Sequence, residues 1–140
     1  MEYRKFENTL IVRLDPDEEI CEQLLLLAQK ERITLASLNG LGAVKAFTVG
    51  VFNTETKEYL ANPFEGPYEI VSLTGTLTTK DGEPYLHAHF AAGDDKGRVS
   101  GGHLNRAVIS ATAEIVLTLI PGTVERKFSK QIGLNLFDFQ

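Results

Sequence analysis

The sequence predicts an α+β domain in which one helix is followed by a run of strands. Apolar residues recur with a helical period only near residues 15–32, whereas the later segments alternate with period two between glycine-containing turns. A chain of 140 residues, 43% hydrophobic and 24% charged, fits one folded domain spanning 1–140.

The elements follow in order. Residues Tyr3 to Leu14, with the β-favouring run TLIVRL, read as a strand leading into the helix. Asp15 offers an N-cap, Pro16 suits the first helical position, and Asp17, Glu18 and Glu19 suit the positive end of a helix. Ile20, Leu24, Leu27 and Ala28 then line one face, Leu26 widens the apolar stripe, and the helix ends near Arg32. Thr34 to Gly42 is rich in small residues, Val44 to Phe52 alternates as a strand, and Asn53 to Lys57 turns. Tyr68 to Thr79 alternates again, and Lys80, Asp81, Gly82 and Glu83 form a hairpin turn. Pro84 opens the next strand, where its missing donor is tolerated.

That strand carries chemistry. All three histidines of the chain lie between residues 85 and 104, in YLHAHFAAGDDKGRVSGGHL. Residues two apart on a strand share a face, so His87 and His89 project together while Ala88 points away. Asp94, Asp95, Lys96 and Gly97 read as a tight turn that returns RVSGGHL antiparallel and brings His103 opposite residues 87 to 89. Three imidazoles on one face match the open ligand set of catalytic zinc rather than the thiolate-rich set of structural zinc. Parity decides the outcome. An even pairing sum puts His103 on the face of His87 and His89, and an odd one puts it opposite Ala88. Gly101 and Gly102 also permit a bulge that switches the facing. In the alternative reading the histidines are three polar residues lining a sheet.

Other features narrow the field. Glu114, inside the apolar run SATAEIVLTLI, is the one candidate for a proton carrier, because burial there would raise its pKa. Strand alternation could equally turn it to solvent or to a subunit contact. Cys21, alone among Ile20, Leu24 and Leu25, reads as a core filler. No GxSxG, CxxC or phosphate-cradling loop is present, and Gly40 and Gly42 lack the third glycine of a dinucleotide site. A formal charge of −5 disfavours nucleic acid as a ligand, and Arg126, Lys127 and Lys130 read as a solvated face. The start MEYRKFENTL has no signal-peptide core and no stretch is long and apolar enough to span a bilayer, so a cytoplasmic location without membrane contact is expected.

The run GEPYLHAHFAAGDDKGRVSGGHL at 82–104 resembles the signature of the plants and prokaryotes conserved domain (PPC, DUF296). Similarity extends through RLDPDEEI at 13–20, LNGLGAV at 38–44, FEGPYEIVSLTG at 64–75, TAEIV at 112–116 and GLNLFD at 133–138. The resemblance implies an α/β (α+β) fold with a mainly antiparallel mixed sheet packed with one or two helices, assembled as a homotrimer. It also implies that His87, His89 and His103 hold a divalent metal, zinc, as bacterial and archaeal members can and as the structurally similar acetolactate decarboxylases do for catalysis. Plant members add an AT-hook that enters DNA, and this sequence contains no such segment. They also carry Gly-Arg-Phe-Glu-Ile-Leu for protein partners, where residues 66–71 read Gly66, Pro67, Tyr68, Glu69, Ile70 and Val71. Two functions follow as expectations. One is a small-molecule metalloenzyme or metal-dependent ligand binder; the other is a non-catalytic homotrimeric interaction module of a family labelled DNA-binding.

Overall fold

The computed structural model describes residues 1–139. Among them the elements are β1 (Glu2–Phe6), β2 (Thr9–Leu14), α1 (Ile20–Glu31), β3 (Ala36–Asn53), β4 (Glu58–Lys80), β5 (Glu83–Gly93), β6 (Val99–Leu119), β7 (Glu125–Ser129) and β8 (Leu134–Asp138). Strands β3 and β5 each pair with both β4 and β6, so these four close on one another. The β1–β2 hairpin extends the sheet beyond β6, and the β7–β8 hairpin extends it beyond β4. Pairing is antiparallel except at Thr79 and Glu125, where β4 and β7 run parallel. The mainly antiparallel mixed sheet with one helix is the predicted architecture.

The core lies inside the closed strands and beneath the helix. Phe47, 2% exposed, stacks on Phe64 at 4.8 Å between ring centroids and meets Tyr68 edge-on at 5.0 Å. Phe90 closes the cluster at 5.2 Å from Phe47. Helix α1 packs on β5 and β6 through Ile20, Leu24, Leu27 and Ala28, all fully buried. Leu26 is half-exposed, so the apolar stripe is narrower than the leucine run suggested.

Three local expectations are corrected. The segment from Tyr3 to Leu14 is a hairpin rather than one strand, because Glu7 takes a left-handed φ of 52° and folds β1 back on β2. The helix starts at Ile20, capped by Glu19, and not after Asp15. Asp17 has φ 72°, its N–H donates to the Ile109 carbonyl, and the Ile109 N–H donates to that of Glu18. These bonds hold residues 17–18 against β6 in place of a first helical turn. The carboxylate of Glu19 accepts from the N–H groups of Cys21 and Glu22, and it also accepts from Ala107 of β6, so one side chain caps the helix and ties it to the sheet. At its other end the helix stops at Arg32, whose φ of 53° lets its N–H reach the carbonyls of Ala28 and Gln29. The third correction joins the two segments expected from Thr34 to Phe52 into the single strand β3, with register shifts at Gly40–Gly42 and Val44–Ala46.

Candidate metal centre

Two turns set the histidines in place. Asp81 and Gly82, at φ 54° and 80°, form the two-residue turn that fixes β5 against β4, pairing His87 with Thr76 and His89 with Thr74. Asp94 organises the second turn. Its Oδ1 accepts from the N–H groups of Lys96 and Arg98, both at 2.9 Å, while its Oδ2 accepts from Arg98 Nε at 2.7 Å. The Arg98 guanidinium holds this carboxyl below its ordinary pKa. Gly93 therefore pairs with Val99, and the unbroken register places His103 directly across from His89. The pairing sum is even, 89 + 103, so all three imidazoles share one face while Ala88 and Phe90 enter the core.

The three rings converge. One ligand nitrogen from each lies within 4.8 Å of the others, and ring centroids stand 5.4 Å apart for His87–His89, 5.1 Å for His87–His103 and 5.9 Å for His89–His103. Glycine lets the strands come this close. A Cβ on Gly102 would sit 2.7 Å from the Gly50 carbonyl oxygen of β3, and one on Gly50 would sit 2.3 Å from that of Leu60. Gly101 and Gly102 thus serve close approach within a regular ladder, not a bulge that redirects His103. Tyr59 backs the third ligand: its ring meets His103 edge-on at 6.0 Å, and its hydroxyl donates to the His103 carbonyl at 3.3 Å and contacts Asn105 Oδ1.

Electrostatics suit a cation that binds neutral nitrogen. Burial, reinforced by the charges of His103, Arg126 and His89, pulls the pKa of His87 down to about 4, so its imidazole is neutral at pH 7. Burial and then His89 lower that of His103. Three imidazoles converging from one side are the donor set that divalent transition metals take. The cluster can hold a metal ion.

It opens into a cleft of about 570 Å³ lined by the histidines with Tyr85, Arg126 and Phe137. Arg126 departs from the expected solvated face: it is 7% exposed and points into this cleft, while Lys127 and Lys130 remain exposed. Its Nε donates to Thr78 Oγ1 at 2.8 Å, Nη1 to the Asn135 carbonyl at 3.0 Å and Nη2 to Thr76 Oγ1 at 3.3 Å. The alternation of Arg126 with Lys127 in ERKFS was the available signal, since adjacent residues of a strand face opposite ways.

Glu114 is placed elsewhere. It lies on β6, eleven residues beyond His103, paired with Arg13 and Leu41, and its side chain is exposed. Ala113 and Ile115 take the inward positions on either side, so Glu114 lacks the burial expected of it. Cys21 is half-buried, and burial pushes its thiol up to about 12, in keeping with a filler. No helix among the described residues is long and apolar enough to cross a membrane.

A closed, mainly antiparallel sheet that presents three convergent histidines to a cleft defines a small α+β protein with a metal-competent site. The chain belongs to the Plants and Prokaryotes Conserved (PCC) domain family, whose sequence profile matches residues 1–121. It is similar to a protein of Bacteroides thetaiotaomicron provisionally named as DNA-binding, with 31% identity over 99% of this chain and 96% of that one at a TM-score of 0.96. A plant- and prokaryote-conserved protein of Pyrococcus horikoshii shares 36% identity over 99% and 94% of the two chains, with a TM-score of 0.87. The metal-containing protein of Archaeoglobus fulgidus shares 34% identity over 97% and 96%, with a TM-score of 0.86. No curated protein matches the chain.

Proposed function

We propose that this protein binds one zinc ion through His87, His89 and His103 and presents it to a small molecule in the adjoining cleft. The carrying observation is the convergence of the three ligand nitrogens within 4.8 Å on one strand face. The metal content of the Archaeoglobus fulgidus relative supports the same reading. The chemistry such an ion supplies is polarisation of a coordinated carbonyl or activation of a water molecule. The chain's own contribution is positional. Strands β5 and β6 hold the rings, Tyr59 supports the backbone at His103, and the aromatic walls of the cleft limit water. Protein purified without a nickel column is expected to contain about one zinc per chain, and His87→Ala with His89→Ala to contain none, as read by elemental analysis. Metal-free protein prepared without chelators would overturn the reading.

A second reading concerns assembly. Val51 and Leu60 pair across β3 and β4 and are each about 60% exposed, as is Phe128 at 56%. Apolar side chains left in solvent favour a subunit contact, and the homotrimer implied by the resemblance would supply one. Sedimentation equilibrium should then return three times 15.5 kDa. In that assembly the protein could serve as an interaction module without catalysis, and replacement of His87 and His89 would leave partner binding intact. The DNA-binding name of the Bacteroides relative is not extended to this chain, because a formal charge of −5 opposes phosphate neutralisation.

A further inference from the structure

We propose that Arg126 is the anion-binding residue of the cleft, and that the small molecule it takes is a carboxylate with a second oxygen able to reach the metal. The inference rests on the metal reading for the second oxygen and on Arg126 for the first. Arg126 lies beyond residue 121, where the family profile ends.

The observations concern a cation held among neutral groups. A guanidinium has five N–H donors. Three are spent on Thr78, Asn135 and Thr76, all uncharged oxygens. Two remain, one on each terminal nitrogen, for an anion in the cleft. The plane of the group is clamped between two rings, with Tyr85 at 4.7 Å and Phe137 at 4.5 Å from the guanidinium carbon to the ring centroids. None of these partners carries negative charge. Burial pulls the arginine below its ordinary pKa, as expected of a cation short of counter-charge. A buried cation without an anion is costly unless something supplies one, and Arg126 lines a cleft open to solutes.

Position ties the anion site to the histidines. Tyr85, which carries Arg126 on its face, precedes His87 by two residues on the same strand, and Thr76, a hydrogen-bond acceptor of Arg126, is the cross-strand partner of His87. Same-face neighbours on a strand are about 6.6–7 Å apart. The guanidinium and the histidine cluster therefore line the same cleft, where one small molecule can meet both. The aromatic and aliphatic lining accepts a short apolar substituent, and the cleft volume of about 570 Å³ accommodates a small acid.

The test uses 2-hydroxyisobutyrate and its amide, 2-hydroxyisobutyramide, titrated calorimetrically into the full-length zinc-loaded protein and into Arg126→Gln and Arg126→Lys. The amide keeps shape and hydroxyl but removes charge, so the unaltered protein already reports on the anion. Acid is expected to bind more tightly than amide. Arg126→Gln should weaken the acid by about ten- to a hundredfold, the value of a charge-assisted hydrogen-bonded pair, while leaving the amide and the zinc content unchanged. Arg126→Lys should fall between, as a point charge without the fork, and it decides the matter if the glutamine variant does not fold. Unchanged acid affinity in a folded, zinc-containing variant would overturn the proposal and leave a purely structural arginine. If no zinc loads, the metal reading fails by itself, and the metal-free protein still decides on Arg126. An acid preference lost in Arg126→Gln then supports the anion site, and no preference in the unaltered protein overturns it.

Discussion

Removing the titratable ring at His87 isolates how strongly the cluster is desolvated. The ring's pKa falls from 6.5 to about 4 in the fold, chiefly through burial. In the unfolded chain it regains an ordinary value near 6.5. Between these two values the unfolded state binds the extra proton, so metal-free protein loses stability as pH drops from 6.5 to 4, and the loss is complete below 4. The fall corresponds to at most ~3.4 kcal/mol at ~1.36 kcal/mol per pH unit. Solvent reaches about half of the ring, and screening reduces the effect to ~1.5 kcal/mol. Urea unfolding of chelator-treated protein at pH 7.5, 6, 5 and 4.5, compared with His87→Gln, reads this directly. The variant should show a shallower decline by ~1–1.5 kcal/mol over that range, because glutamine does not titrate. Parallel curves would refute the reasoning and show a ring hydrated to the same degree folded and unfolded. Zinc adds a steeper dependence of the same sign, since its ligands must shed their protons to bind.

Two further perturbations test the frame that holds the site. Phe47→Ala empties the centre of the Phe64, Tyr68 and Phe90 cluster, and a loss of ~3–5 kcal/mol is expected, seen as a fall of roughly 10–15 °C in Tm. Gly102→Ala forces a Cβ against the Gly50 carbonyl beside His103, so it should lower stability by ~1–3 kcal/mol and weaken zinc binding more than the same change at solvent-facing Gly82.

Much of the site was legible because it depends on local rules. Period-two alternation put His87 and His89 on one face, and Asp94 with Gly97 announced the turn that returns His103. Parity was not legible. It depends on how many residues the turn consumes, which the Asp94 side-chain bonds to Lys96 and Arg98 settle through space. The helix start misled for a similar reason: Asp15 and Pro16 carry the local signals of a cap, but backbone pairing with Ile109 of β6 outweighs them. Arg126 was misread because charge in sequence suggests solvent, whereas two rings and three neutral oxygens from β4, β5 and β8 enclose it. Glu114 was legible only as an ambiguity, and alternation along β6 resolved it outward.

Zinc K-edge absorption on protein loaded with one equivalent of zinc examines the three-histidine centre most directly. The account requires three imidazole nitrogens at about 2.0–2.1 Å, with a further oxygen scatterer that is displaced when 2-hydroxyisobutyrate is added. A spectrum of hydrated zinc without imidazole scattering, or one unchanged when His87, His89 and His103 are replaced, would contradict it.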